Sequence, residues 1–553
     1  MKTRFFSLLS IGVIIISFTI LSCAEKESGH HDPDSEGKAQ TIKIHQAVLH
    51  QIDENVFGQF LERASWGGEM GPEGAVIPGT HQLQQAVIDS LKTMFIPVMR
   101  FPGGTDAENM NWTDMIDNAP DRDNPERPVS IGNRGDEITN RFGWDEYNEL
   151  AKELGSETIM VLNLTDAMEN PAEADAHALH NVGLLAYCNA EVGQTLPEGM
   201  HDWPAVRQKN GHTAPFNFEY VQIGNELWID NRYGSINSPQ NFVAHVKRYV
   251  DLIEAIDPDI QIITDCWSQS VYDEIKKELG NRIDYLANHL YKPMNIGSIM
   301  KDGVKVDGTA VPPGDIWQAM VAPLKCDELG QAREAHEPIK LVRDNGFEYK
   351  VAVTEWNWNG WFSTKASIKP GMANGMGVAS FIHYMLRFGD AVKMANQSML
   401  VGTSWGITGL RVDPDGSELP YFLPQGLAMR FYANNSGSNF QQVTLEHLET
   451  YAQPYGLQNI KPNEKVAYLD VVATSKGDEL FVHVINRSFD KAQHAKLDIS
   501  EFYLSGGLTI MRLLTDESLD SGYISEETKE ATESVMDMEF PSKSITILKF
   551  KLN

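Results

Sequence analysis

The segment Lys350–Trp361 reads KVAVTEWNWNGW, a short apolar and β-branched run that stops at a carboxylate, Glu355. Similar apolar runs recur between about Ile52 and Gly409, and amphipathic segments with helical spacing separate them. Strands that alternate with helices indicate parallel βα units. Eight such strands predict an α/β fold, a (β/α)₈ TIM barrel. The predicted strands are Asn55–Leu61, Ile96–Phe101, Thr158–Leu164, Tyr220–Gly224, Ile260–Thr264, Ile283–His289, Lys350–Thr354 and Met399–Ser404.

The pattern changes after about Gly409, where apolar residues alternate with period two between turns. This alternation is typical of an antiparallel β-sandwich. We therefore predict a barrel over residues 52–410 and a C-terminal β-sandwich over residues 411–553. The early run Thr41–Leu49 also has strand character, and we expect residues 41–51 to join the sandwich. The clearest predicted sandwich strands are Val466–Thr474, Glu479–Asn486, Leu508–Leu514 and Ser544–Lys551.

The first residues have the features of an export signal. Lys2 and Arg4 form a positive region, an apolar stretch follows, and Cys23 comes directly after Ile-Leu-Ser. This arrangement resembles a bacterial lipobox, which implies that residues 1–22 are removed and that Cys23 carries lipid. An ordinary signal peptide and a single transmembrane anchor are the alternatives. Residues 23–40 are polar, as in a flexible tether, so we expect an exported protein that is lipid-anchored to a bacterial membrane, in the periplasm or at the cell surface.

The composition argues against two classes of partner. The chain has 553 residues and a formal net charge of -30, so it repels nucleic acid and anionic membrane surfaces. Membrane contact is therefore expected only through the N-terminal lipid. The other cysteines, Cys188, Cys266 and Cys326, match no zinc or redox spacing. We expect them to be buried or free thiols, with at most one disulfide.

Polar side chains follow several predicted strands, at the end of the barrel where catalytic groups lie in enzymes of this fold. Two of them are glutamates on opposite sides of the barrel mouth: Glu226 follows the fourth predicted strand and Glu355 follows the seventh. A retaining glycosidase needs two carboxyl groups about 5–5.5 Å apart. One attacks the anomeric carbon, and the other protonates the leaving oxygen and then deprotonates water. The pair suits this chemistry but is not specific to it.

Four short motifs are more specific. In chain order they are FGQFLE (Phe57–Glu62), RFPGG (Arg100–Gly104), IGNEL (Ile223–Leu227) and TEWNWNGW (Thr354–Trp361). Their order, spacing and strand context resemble glycoside hydrolase family 51, the α-L-arabinofuranosidases of clan A. The resemblance extends over nearly the whole mature chain and implies a retaining mechanism.

The resemblance also implies roles for single residues. Glu226 is expected to be the acid/base, and Glu355 the nucleophile. Arg100 is expected to support the nucleophile, because a nearby cation favours the charged form of a carboxyl group. The further substrate-binding residues that the resemblance implies are Glu62, Asn225, which binds the sugar 2-hydroxyl, His289, which lines the site, and Tyr291, which contacts the nucleophile.

Other positions depart from the family pattern. Thr105 stands where family members often have a sugar-binding asparagine, and Trp405 stands where a smaller residue is expected. The segment after Glu62 reads RASWGGEMG, and the segment Lys292–Cys326 is long. These positions surround the expected sugar. We therefore expect Thr105 and Trp405 to contribute to substrate binding and to shape specificity.

The sequence thus predicts an exo-acting α-L-arabinofuranosidase that releases sugar from polysaccharide side chains or oligosaccharides, with no cofactor and no metal. One alternative is another retaining clan A glycosidase, including an endo-acting one, on a different plant or algal glycan. An alternative of a different class is a non-catalytic carbohydrate-binding lipoprotein, although binding alone needs no carboxylate pair. The resemblance also favours a homo-oligomer. The sugar, the linkage and the membrane that holds the anchor stay open at this point.

Overall fold

Eight parallel strands close into a barrel, which confirms the predicted fold class. The eighth strand pairs with both the seventh and the first, and so completes the ring. Buried apolar side chains from seven of these strands fill the barrel interior, so a polar site has room only at the strand ends. In chain order the barrel strands are Gly58–Phe60, Val98–Phe101, Glu157–Leu162, Tyr220–Ile223, Gln261–Asp265, Tyr285–Tyr291, Lys350–Asn357 and Val392–Ser398.

The computed structural model describes residues 38–63, 67–120, 122–132, 135–228, 238–293, 295–323, 327–331, 335–358, 361–458, 460–531 and 533–553. The predicted signal peptide, Cys23 and most of the predicted tether lie outside these residues, as does Cys326. Among the described helices, none is both long and apolar enough to cross a membrane. Cys188 and Cys266 are buried free thiols, as predicted.

The prediction of the eighth barrel strand is wrong. The strand is Val392–Ser398, which pairs with Gly58–Phe60 and with Lys350–Asn357. The predicted segment, Met399–Ser404, follows it and contributes only the two-residue strand Val401–Gly402 outside the barrel. The barrel strand ends in three buried polar residues, NQS, which interrupt the apolar run that a buried strand normally shows. The other seven predicted strands overlap the observed ones.

Helices alternate with the barrel strands along the chain. The helix Pro239–Ile256 illustrates why they begin where they do: Ser238 accepts a hydrogen bond from the N–H of Asn241, and proline occupies the first helical position. The α-helices are Gln85–Lys92, Trp144–Leu154, Thr165–Glu169, Ala174–Asn189, Trp203–Lys209, Pro239–Ile256, Gln269–Glu278, Pro313–Met320, Ile339–Asp344, Met372–Arg387 and Pro424–Ala433. Short 3₁₀ helices span Glu54–Phe57, Gly71–Ala75, Trp112–Met115 and Gly280–Arg282.

The C-terminal region forms a nine-stranded sheet. The first strand of the chain, Thr41–Gln51, lies within it, antiparallel to Asn439–Glu446 and parallel to Gln493–Asp498. This parallel pair departs from the predicted antiparallel pattern because a strand from the far end of the chain enters between two later strands. Strands near both edges of the sheet share one apolar core. In sheet order the strands are Gly522–Glu530, Leu504–Thr515, Ser544–Leu552, Glu479–Asn486, Leu469–Lys476, Asn439–Glu446, Thr41–Gln51, Gln493–Asp498 and Val535–Phe540.

Small sheets lie in the loops around the barrel and the nine-stranded sheet. In the long segment that follows the sixth barrel strand, Ile299–Lys301 pairs with Val304–Val306 and with Tyr455–Leu457. This segment is thereby attached to the C-terminal region. The remaining short strands are Ser130–Ile131, Glu137–Ile138, Asn295–Ile296, Trp361–Phe362, Val401–Gly402, Leu410–Arg411, Tyr421–Phe422, Thr450–Gln453 and Asn463–Ala467.

A buried ionic cluster joins the large sheet to a barrel helix. Asp470, on the sheet, is fully buried, and its Oδ1 lies 3.0 Å from Nδ1 of His383. The guanidinium groups of Arg387 and Arg487 also contact its carboxylate. His383 and Arg387 belong to the helix Met372–Arg387. Burial opposes the negative charge, but the two arginines outweigh it and hold the pKa of Asp470 well below its usual range.

We predict that Asp470→Ala lowers the free energy of unfolding by about 3–5 kcal/mol, because it leaves two buried guanidinium groups without their counter-ion. Chemical denaturation followed by circular dichroism measures the change. The matched control is Asp175→Ala, which removes an exposed partner of Arg248 and should affect stability far less. Similar losses for the two variants would contradict the structural importance of the buried cluster.

Candidate active site

The two predicted catalytic glutamates meet at the C-terminal ends of the barrel strands. Glu226 follows the fourth strand, and Glu355 lies near the end of the seventh. One oxygen of each carboxylate and a ring nitrogen of His289 all lie within 4.8 Å of one another. Carboxyl groups this close fit a retaining glycosidase, whereas inverting enzymes keep theirs about 6.5–9.5 Å apart to admit water.

Arg100, on the second barrel strand, donates hydrogen bonds to three side chains of this site. Its side chain is fully buried, and its Nη1 donates to Oε1 of Glu355 at 2.9 Å. Its Nη2 donates to Oδ1 of Asn225 at 2.7 Å, and its Nε donates to Oε1 of Gln222 at 2.8 Å. The guanidinium carbon lies 4.9 Å from the ring centroid of Phe60. Charge-assisted bonds of this kind are short and strong, so Arg100 holds the nucleophile candidate and the asparagine in a fixed relation.

Tyr291 holds the other oxygen of Glu355. Its hydroxyl donates to Oε2 of Glu355 at 2.9 Å and also contacts Oγ of Ser398 at the end of the eighth strand. Burial raises the pKa of Tyr291 well above its ordinary value, so the phenol keeps its proton and remains a donor. Both oxygens of Glu355 therefore accept a hydrogen bond, one from a cation and one from a neutral group.

His289 contacts the other glutamate. Its Nδ1 lies 2.9 Å from Oε1 of Glu226, and its Nε2 lies 3.1 Å from Oγ1 of Thr354. Burial lowers the pKa of His289 to about 3, against the opposing effect of the Glu355 charge, so the imidazole is neutral at neutral pH. The same donor atoms of Glu226, His289 and Glu355 are close enough to ligate one metal ion. Both oxygens of Glu355 already accept hydrogen bonds from protein donors, Arg100 and Tyr291.

Two glycines let the backbone approach these side chains. A Cβ at Gly104 would lie 2.2 Å from Oε1 of Glu355 and 3.0 Å from Oδ1 of Asn225. Gly103 has φ of +155°, and a Cβ there would lie 2.9 Å from Cγ of Glu62. A residue with a side chain fits at neither position. The loop after the second strand therefore packs directly against Glu355, and it brings the buried Glu62 beside the same cluster.

Thr105 and Trp405, the two departures from the family pattern, lie near this cluster. Thr105 follows the glycines, is partly buried, and accepts a hydrogen bond at its carbonyl from Nδ2 of Asn109 at 2.5 Å. Trp405 was predicted to follow the eighth barrel strand directly. The strand instead stops at Ser398, seven residues earlier in the chain. Trp405 lies in the loop beyond and packs against the apolar cluster of Phe60, Met399 and Ile407. The guanidinium of Arg100 lies over the ring of Phe60. Their roles in specificity stay predictions.

A buried carboxylate fixes the loop that carries Trp405. Glu69 accepts hydrogen bonds from the backbone N–H groups of Thr403, Ser404 and Trp405, at 2.6, 2.8 and 2.7 Å. Arg411 donates to the carbonyl oxygens of Thr403 and Trp405, each at 2.6 Å. The backbone of Trp405 is therefore held from both sides.

Sequence reasoning missed five residues that support the site: Gln222, Ser398, Glu69, Glu108 and Asp265. Gln222 and Ser398 are buried polar residues on barrel strands, and a polar side chain in an apolar strand is a usable signal because its burial requires partners. Asp265 is the last residue of the fifth strand and could have been found by the same strand-end search. Glu69 and Glu108 lie in irregular segments, where no periodicity marks them.

Comparisons with known proteins agree with this geometry. Residues 90–301 match the family model of the alpha-L-arabinofuranosidase 1 domain. Alpha-L-arabinofuranosidase C of Emericella nidulans is 24% identical, over 94% of this chain and 98% of its own. The intracellular exo-alpha-(1->5)-L-arabinofuranosidase of Halalkalibacterium halodurans is 22% identical, over 82% and 85%. The arabinose complex of the Thermotoga maritima alpha-L-arabinofuranosidase has a TM-score of 0.69 at 22% identity, over 93% of this chain and 100% of that chain. The chain is therefore similar over nearly its whole length to α-L-arabinofuranosidases, and it shares the fold of the family 51 enzyme of Thermotoga petrophila, with a TM-score of 0.67 at 22% identity over 92% of this chain and 100% of that chain.

Proposed function

We propose that this protein is a retaining, exo-acting α-L-arabinofuranosidase that releases arabinofuranosyl groups from polysaccharide side chains or oligosaccharides. The observation that carries the proposal is the pair Glu226 and Glu355, whose nearest oxygens lie within 4.8 Å. This separation supports a double displacement through a covalent glycosyl-enzyme.

In the first step a carboxylate oxygen of Glu355 attacks the anomeric carbon, and the bond from that carbon to the leaving oxygen breaks. Glu226 gives its proton to the leaving oxygen, so the alcohol departs neutral and Glu226 becomes a carboxylate. The sugar is then bound to Glu355 as an ester. In the second step Glu226 takes a proton from water, the water oxygen attacks the anomeric carbon, and Glu355 leaves as a carboxylate.

The environments of the two glutamates suit this division of roles. Glu355 accepts from the guanidinium of Arg100 and from the phenol of Tyr291, and such donors stabilise the anion that attacks. Glu226 instead contacts the neutral imidazole of His289. The two carboxyl groups thus have different hydrogen-bond partners, and the family resemblance gives the attack to the glutamate of the TEWNWNGW motif. We therefore assign Glu355 as the nucleophile and Glu226 as the acid/base.

The substrate is proposed from the relatives. The Emericella, Halalkalibacterium and Thermotoga proteins are all named arabinofuranosidases, and the Halalkalibacterium enzyme is named exo-acting. We propose that the sugar binds beside Glu355. The proposed substrate-binding residues are Glu62, Arg100, Thr105, Asn225, His289, Tyr291 and Trp405. The endo-acting clan A alternative and the non-catalytic alternative are outcomes of the experiments below.

The first prediction from the proposed function separates the two glutamates. Glu355→Ala should reduce hydrolysis of a nitrophenyl α-L-arabinofuranoside by roughly 10⁴-fold or more, since no glycosyl-enzyme can form. Glu226→Ala should spare the first step on this substrate, because nitrophenolate needs little protonation, but should slow cleavage of arabino-oligosaccharides by roughly 10²–10⁴-fold. Initial rates on both substrates measure the contrast.

Added azide provides the control for this assignment. It should restore turnover of Glu226→Ala and give a glycosyl azide of retained configuration, because the anion needs no general base. Equal inactivity of the two variants on the aryl glycoside, with no azide product, would refute the assignment. Internal cleavage of a polysaccharide by the wild-type enzyme would support the endo-acting alternative, and inactivity on every glycoside tested would support the binding protein.

The second prediction concerns the phenol that contacts the nucleophile. Tyr291→Phe removes the donor to Oε2 of Glu355, and a hydrogen bond to a charged group contributes about 1.5–3 kcal/mol. We expect kcat to fall about 10- to 100-fold, with less effect on KM, because the charge on Glu355 changes during the reaction. Steady-state kinetics on the aryl glycoside measure both constants. An unchanged kcat would show that the phenol does not assist the nucleophile.

The third prediction concerns the proposed export and lipid anchor. The positive region, the apolar stretch and Cys23 after Ile-Leu-Ser support an exported lipoprotein. Cys23→Ala should therefore release a folded, active enzyme from the membrane fraction, while a substitution at the neighbouring Ser22 to Ala should leave it anchored. Fractionation and mass spectrometry of the mature N-terminus test this. A mature chain that begins anywhere but at Cys23 would end the proposal.

A further inference from the structure

The backbone of Glu226 has an unusual conformation. Its φ is +54°, in the left-handed region, and it follows Gly224, whose φ is +80°. A residue with a side chain adopts this conformation only where its surroundings hold it there. The position of the Glu226 carboxyl group therefore depends on the contacts of its backbone neighbours.

Two buried carboxyl groups hold the backbone on either side of Glu226. Oε1 of Glu108 accepts a hydrogen bond from the N–H of Asn225 at 2.7 Å. Oδ2 of Asp265 accepts a hydrogen bond from the N–H of Leu227 at 3.0 Å. The side chains of Glu108 and Asp265 are almost completely buried. The two N–H groups that flank the acid/base thus bond to two different side chains.

These two side chains also attach the segment to the neighbouring barrel strands. Oε2 of Glu108 accepts from the N–H groups of Leu164 and Thr165, at 3.0 and 2.8 Å, in the loop after the third strand. Asp265 is the last residue of the fifth strand. The end of the fourth strand is therefore fixed to the third strand through Glu108 and to the fifth strand through Asp265.

We propose that Glu108 and Asp265 are positioning residues, which hold Glu226 in its left-handed conformation so that its carboxyl group faces the leaving oxygen. This inference rests on the proposed role of Glu226 as the acid/base. Neither positioning residue contacts the nucleophile: Glu355 is held from the other side by Arg100 and Tyr291. Loss of either positioning carboxyl group should therefore impair proton donation more than nucleophilic attack.

The burial of the two carboxyl groups indicates that the backbone around Glu226 requires hydrogen-bond acceptors. Burial raises the pKa of Glu108 to about 6, although three backbone N–H groups oppose the change. Burial also raises the pKa of Asp265 to about 8, with a further contribution from the nearby Glu108. Buried carboxyl groups are costly, and an apolar residue would avoid that cost. However, an apolar residue in place of Glu108 or Asp265 would leave the N–H group of Asn225 or Leu227 without an acceptor. Buried backbone N–H groups without acceptors are rare.

The test compares Asp265→Ala with the matched variant Asp265→Asn. Asparagine keeps an oxygen that can accept from the N–H of Leu227, whereas alanine keeps none. The substrates are dinitrophenyl, nitrophenyl and phenyl α-L-arabinofuranosides, whose leaving groups need increasing protonation. For Asp265→Ala we expect kcat/KM to fall about 100-fold on the phenyl glycoside but within about threefold on the dinitrophenyl glycoside. Asp265→Asn should stay within about threefold of wild type on all three substrates, since its acceptor is retained.

A general loss of folded enzyme would slow all three substrates by one factor, so an equal loss across the series in Asp265→Ala would overturn the inference. An Asp265→Asn variant as impaired as Asp265→Ala would also overturn it, because the hydrogen bond would then not be the cause. If Asp265→Ala does not fold, Glu108→Gln provides the same test. Its amide replaces one acceptor with a donor, and it should show the same dependence on the leaving group.

Glu226→Ala is measured on the same series to separate this inference from the proposed function. It should show a strong dependence on the leaving group if Glu226 is the acid/base. A flat profile for Glu226→Ala would refute the proposed function itself. If the loss of kcat/KM depends strongly on the leaving group in Glu226→Ala but not in Asp265→Ala and Glu108→Gln, only the positioning role is refuted.

Discussion

The active site depends on one buried cation. Arg100 has no exposed surface, and each of its donor nitrogens bonds a side-chain oxygen: Glu355, Asn225 or Gln222. A guanidinium group can be buried at this depth only if its donors are satisfied. Because Arg100 lies on the second strand and its partners on the fourth and seventh, it fixes the geometry across the barrel mouth. The planar fork of arginine suits this task, and lysine could not reproduce it.

That cation also makes the two glutamates chemically different. It donates to Glu355, while the histidine beside Glu226 is held neutral by burial. Two identical side chains whose nearest oxygens lie within 4.8 Å of each other thus have different partners, which suits the different roles that we propose for them. In the proposed mechanism one glutamate attacks and the other transfers the proton. Apolar side chains fill the barrel interior, so both glutamates lie at the ends of the strands.

The sequence predicted most of this arrangement because its motifs coincide with strand ends. Glu226 and Glu355 each follow a clear apolar run, and seven of the eight barrel strands were found in this way. The eighth strand was not, since buried polar residues such as Gln397 and Ser398 interrupt its apolar pattern and a more apolar segment follows it. Glu108 could not be found at all, because its partners are backbone N–H groups of segments 56 or more residues away, and such contacts leave no local pattern.

The RFPGG motif limits which residues of the loop after the second strand can carry a side chain. Gly103 and Gly104 pass so close to Glu62, Glu355 and Asn225 that no side chain fits at either position. Thr105 is the first residue after the two glycines that carries a side chain. Its single hydroxyl offers fewer hydrogen bonds than the asparagine amide that family members often have there. We therefore expect a change at this position to alter sugar recognition without disturbing the contacts of Glu355, because the backbone of the two preceding glycines, and not the side chain that follows, packs against the proposed nucleophile.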